Sequence, residues 1–97
     1  MPNSRAYVPT KFGARYMTQL CMHWSHRLEV EFNETTGRIA FDGERRLILH
    51  ALADGLELEV ETAEDAQLAR TQETVVNHLK RFAFREDLGE IEWRRLE

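Results

Sequence analysis

Three turn signals between Leu28 and Glu61, each set between alternating apolar and polar residues, constrain the fold more than any other feature. Asp54-Gly55 is the preferred pair for a two-residue type I′ hairpin turn. Centred there, the turn sets Ala53 against Leu56, Ala51 against Leu58 and Leu49 against Val60. On the other face it pairs Leu52 with Glu57, His50 with Glu59 and Ile48 with Glu61. The segment NETTGR closes a four-residue loop that puts Phe32 against Ile39 and Val30 against Phe41. DGER then turns the chain so that Phe41 meets Leu47 and Ile39 meets Leu49. All three turns agree on one apolar face, and a one-residue slip would send every apolar side chain outward. The agreement predicts a four-stranded antiparallel meander.

Elements on either side complete the fold. SRAYVP reads as a strand, with Ala6 and Val8 alternating against Arg5 and Tyr7. Residues 11–27 have helical spacing, with Gly13, Met17, Leu20, Cys21 and Trp24 on one stripe. A second helix begins at ETAEDAQLA, with Thr62 as the expected N-cap and Asp65 three residues on. Its stripe is Leu68, Val75, Val76, Leu79 and Phe82, interrupted by Gln72, which is expected to be partly exposed or hydrogen-bonded. That helix is expected to end near Ala83, with Phe84 packing back on a last strand, GEIEWRR, whose Ile91 and Trp93 face inward. The order β-α-β-β-β-β-α-β is that of an α+β domain. Its antiparallel sheet has about six strands, and both helices lie on one face. The opposite face is left to solvent or a partner.

Length and composition bound the function. Ninety-seven residues suit a single domain, 1–97, with one core. The 13 basic residues are scattered and the net charge is −4, which argues against a nucleic-acid partner. No apolar run approaches the length of a membrane span, and MPNSRAYVPTKFGARY lacks the apolar centre of a secretory signal. A single cysteine cannot form an internal disulfide, so a cytoplasmic location is expected. Glycine-rich phosphate loops, nucleophile elbows, C-x-x-C pairs and H-E-x-x-H are all missing from the sequence. No enzyme activity and no cofactor are expected.

The ligand-rich stretch is CMHWSH, Cys21 to His26. On a helix Cys21 stands roughly 160° from His23 and roughly 140° from His26, so the three cannot converge on one ion. Cys21 and Trp24 are expected in the core. His23 and His26 are i,i+3 neighbours able to share a metal. Helix-to-helix packing is expected to bring His78 near His23, since both flank their stripes. The candidate metal set is therefore His23, His26 and His78. The candidate surface on the outer sheet face comprises Arg38, His50 and Glu59 in one row with Asn33, beside Ile48 and Leu52. His50 and Glu59 are the residues an acid/base reading would use. The apolar members of that face suggest a homodimer.

Four segments, QLCMHWSH, GRIAF, VVNHLKRFAFRE and the closing IEW, together resemble a bacterial domain-of-unknown-function family, number 2218. The resemblance runs from about Arg5 to Trp93. It implies a small accessory or binding domain and carries over no catalytic residue. It also implies an iron-related setting, linked to siderophore uptake, with a siderophore-interacting flavin reductase as partner. The alternative it raises is metal or siderophore handling by the histidine edge.

Overall fold

The computed structural model describes residues 2–96. The elements are β1 (Asn3–Pro9), α1 (Gly13–Trp24), β2 (Glu29–Phe32), β3 (Thr36–Ala40), β4 (Arg45–Leu52), β5 (Gly55–Thr62), α2 (Asp65–Phe82) and β6 (Arg94–Arg95). The strands form one antiparallel sheet in the order β2-β3-β4-β5-β1-β6. Both helices cover the same face, α1 across β2 to β5 and α2 beside it over β5. The fold is the expected α+β architecture in the expected order.

The apolar face is the one the alternation predicts. Ile39, Leu47, Leu49, Leu58 and Val60 are fully buried beneath Met17, Leu20 and Cys21 of α1 and Val75 and Leu79 of α2. The register within that face differs from the arithmetic. Ile39 pairs with Val30 and Leu47, and Leu49 pairs with Leu58. Each hairpin is displaced by two residues, so every side chain keeps its face while changing its partner.

The cause is local side-chain chemistry at each turn. Asn33 Oδ1 accepts from the backbone N–H of Thr35 and of Thr36, both at 2.9 Å, which starts that turn one residue earlier than expected. Asp42 does the same, accepting from Glu44 N–H at 2.8 Å and Arg45 Nε at 2.9 Å. The Glu44 N–H, then Arg45, hold the Asp42 carboxyl below its ordinary value. At the third turn the centre is Ala53-Asp54, and Gly55 opens β5 without a positive φ. Gly55 is needed there for space. A Cβ would lie 2.5 Å from the Tyr7 ring, and the Gly55 carbonyl would be 2.5 Å from a Cβ on Gly13.

Three smaller expectations are corrected. Glu64, not Thr62, caps α2, its N–H donating to Gln67 Oε1 at 3.0 Å. Thr62 ends β5, buried, with its hydroxyl donating to the Glu64 carbonyl at 2.9 Å. The last strand is only Arg94–Arg95, paired to β1, while Ile91 and Trp93 are half-buried against the core. Phe84 is 74% exposed, because the chain turns outward past Ala83 and anchors through Glu86 instead.

Candidate functional site

The segment CMHWSH divides among three environments. Cys21 is fully buried over Gly37, where a Cβ would come within 2.8 Å of its Sγ. Burial pushes its thiol up to about 11, so it is protonated and unreactive at neutral pH. Met22 and His26 are exposed, His26 on the turn past α1. His23 stands at the crevice between α1 and α2 and remains accessible to solvent.

Across that crevice His23 meets His78 of α2. Their ring centres are 5.3 Å apart and the planes are tilted by 46°. Trp24 backs both rings, at 4.8 Å from His78 and 5.9 Å from His23, and Phe82 lies 5.8 Å from His23. Phe41 meets Trp24 edge-on at 5.1 Å, tying the cluster to the sheet. His78 Nδ1 sits 2.8 Å from the Thr74 carbonyl oxygen, one helical turn back. A carbonyl only accepts, so in the neutral ring Nδ1 carries the proton and Nε2 keeps its lone pair for a ligand. An oriented imidazole of this kind is the usual arrangement behind a metal-binding Nε2.

With metal–nitrogen bonds of about 2.0–2.1 Å, rings whose centres are 5.3 Å apart are within the reach of one shared ion. His26 is not part of this ring cluster. Among the described residues no group of three His, Cys, Asp or Glu side chains is gathered at one point.

The outer sheet face is a lattice of charges. Arg38, Ile48 and Glu59 share one cross-strand row that continues through Arg5 to Arg94 and begins at Glu31. His50 is one row away, between Thr36 and Glu57, so His50 and Glu59 are not directly opposed as the arithmetic had them. Glu59 instead accepts from Arg5 Nη2 at 3.0 Å, with Glu57 3.7 Å from Arg5 Nε. Glu59, then Glu57, push the Arg5 guanidinium above its ordinary value. Leu52 lies exposed opposite Gly55, and Gly55 leaves room for Tyr7, whose hydroxyl donates to the Asp54 carbonyl at 3.0 Å. A groove of about 590 Å³ runs along the β2 side of this face, lined by Glu29, Val30, Glu31, Arg38, Ala40 and Arg46.

A polar cluster lies apart from both candidate sites. Glu86, beyond α2, accepts from the hydroxyls of Thr10 and Tyr16. Its only sequence signal is its place in HLKRFAFRE, where Phe84 draws the attention.

The family described as "Uncharacterized protein conserved in bacteria (DUF2218)" matches residues 5–94. The NMR structure of PA4090 from Pseudomonas aeruginosa is similar at 35% identity and a TM-score of 0.82, over 97% of this chain and 96% of that one. Among curated proteins, none matches. The chain belongs to the bacterial family DUF2218.

Proposed function

We propose that this DUF2218 chain is a small non-enzymatic binding or accessory domain whose working site is the α1–α2 crevice. There His23 and His78 bind a borderline divalent metal ion. The observation that carries the reading is the 5.3 Å approach of the two rings, with Thr74 orienting His78. Imidazole suits zinc, copper, nickel and iron. Two protein ligands leave coordination positions for water or for donor atoms of a small chelate. This favours an exchangeable ion over a closed structural site. His26, on the exposed turn, lies outside the ring cluster and serves as the comparison residue. Because ligand imidazoles must be neutral, acidification releases the metal.

Two partners accompany this reading: a second copy across the outer sheet face, and a siderophore-interacting flavin reductase. Sedimentation equilibrium and a titration against the reductase test them separately.

The site itself is tested by titrating untagged protein with zinc, nickel and ferrous iron while following Trp24 fluorescence and calorimetric heat. Trp24 is in ring contact with both histidines, so it reports the crevice. His23→Ala and His78→Ala are each expected to weaken binding by at least about tenfold. An unchanged His26→Ala variant means that two histidines suffice. Binding that survives both His23→Ala and His78→Ala overturns the reading.

A further inference from the structure

One edge of the sheet offers a second, independent binding surface. β2 is an edge strand, and it pairs with β3 on one side only. Asn33 N–H donates to the Thr36 carbonyl at 2.9 Å, which makes 33/36 a hydrogen-bonded pair. Bonded and non-bonded pairs alternate along an antiparallel ladder, so 31/38 and 29/40 are bonded as well. The backbone N–H and C=O groups of Val30 and Phe32 therefore point away from β3, out of the edge. No backbone bond reaches them among the described residues.

Edge strands are commonly closed by proline, a bulge or charge. β2 has neither proline nor bulge. Its charges are Glu29 and Glu31, with Glu34 in the following turn, and none of the three has an ion-pair partner among the described residues. Arg38 stands directly across from Glu31 on β3 without an ion pair between them, and Arg46, two strands in, is held by Glu61. On the helix side of the edge Phe32 is 44% exposed and Val30 is half-buried. An added strand would thus meet two carboxylates on one face, two apolar side chains on the other, and free backbone groups between.

This pattern selects among occupants. A second copy pairing antiparallel through β2 would set Glu29 against Glu31 of its mate, and like charges directly opposed are destabilising. We propose that β2 receives an extended segment of another protein in which basic and apolar residues alternate. The added strand extends the sheet, with its basic side chains beside Glu29 and Glu31 and its apolar ones beside Val30 and Phe32.

The test uses ¹⁵N-labelled full chain and two capped peptides, one alternating lysine with valine and one alternating glutamate with valine. The lysine peptide is expected to shift the amides of Val30 and Phe32 and to lose its effect in high salt. The glutamate peptide is expected to shift neither. Val30→Pro removes an outward N–H without touching the β3 ladder, and is expected to abolish binding. The double variant Glu29→Lys, Glu31→Lys keeps the strand and is expected to exchange the preference, taking the glutamate peptide. Equal response to both peptides, shifts centred on Arg38 and Arg46, or no response in either background overturns the proposal.

Discussion

Tyr16 of α1 donates its hydroxyl to Glu86, seventy residues further along the chain, and the Thr10 hydroxyl donates to the same carboxylate at 3.0 Å. Thr10 Oγ1 in turn accepts from the Phe12 N–H at 3.1 Å at the start of α1. One carboxylate therefore fixes where α1 begins and where the chain leaves α2. Glu86→Ala strands both hydroxyls in a part-buried setting. It is expected to cost about 1–3 kcal/mol, the usual penalty for an unsatisfied partner. Urea unfolding measures it. In a double-mutant cycle with Tyr16→Phe the two losses are expected to be sub-additive, and strictly additive losses would separate the residues.

The same contact sets a response to alkali. Burial, then the Glu86 hydrogen bond, push the Tyr16 phenol up to about 12 from an ordinary 10.0. Burial pushes the Cys21 thiol to about 11 from 9.0. Both groups bind their proton more tightly folded than unfolded, so protonation favours the fold. That stability is fully present below the ordinary values and is lost as pH rises through about 11 and about 12. Thermal melts across this interval are expected to fall steeply for the natural chain. In Tyr16→Phe with Cys21→Ala the fall is expected to be shallower. A parallel decline in both would assign the alkaline loss to other groups.

What the sequence made legible, and what it hid, follows from the range of each interaction. Period-2 alternation tells inside from outside, and a register shift of two residues leaves it untouched. Ile39, Leu47, Leu49 and Leu58 could therefore be assigned to the core while their partners were misassigned. The turn centres depend on whether Asn33 and Asp42 bond their own backbone, and on whether Tyr7 needs the space above Gly55. The first is local but outside the two-residue hairpin rule, and the second is tertiary. His78 could be placed on a helix flank by its spacing. The 5.3 Å approach to His23 comes from how α1 and α2 lie together on the sheet. Phe84 misled because hydrophobicity alone does not show that the chain has already turned to solvent.

Gly37 makes a sharper test of the α1–sheet contact. A Cβ there would lie 2.8 Å from Cys21 Sγ, 3.3 Å from Leu49 Cδ1 and 3.5 Å from Met17 Cγ. Gly37→Ala is expected to cost about 1–3 kcal/mol by overpacking. Removing the sulfur with Cys21→Ala opens the tightest of the three contacts, so the pair is expected to cost less than the sum of its parts. Gly43→Ala, whose Cβ meets nothing within 4 Å, serves as the neutral control. If the pair costs the full sum, the sulfur is not what excludes the methyl group.

Trp24 and Phe82 both border the histidine crevice, yet their burial differs. Trp24 is 8% exposed and packs on Phe41 and His78, whereas Phe82 is only half-buried against His23. Trp24→Ala is expected to cost about 3–5 kcal/mol, the range for deleting a buried aromatic side chain. Phe82→Ala is expected to cost less, since its side chain is only partly buried. Chemical unfolding of the two variants ranks them directly. The comparison also separates folding from ligand capture. Phe82→Ala leaves both imidazoles and the Thr74 bond in place, so metal affinity is expected to survive it even as stability falls. Loss of affinity in proportion to stability would mean that the crevice is held open by Phe82 and not by the packing of Trp24 on the sheet.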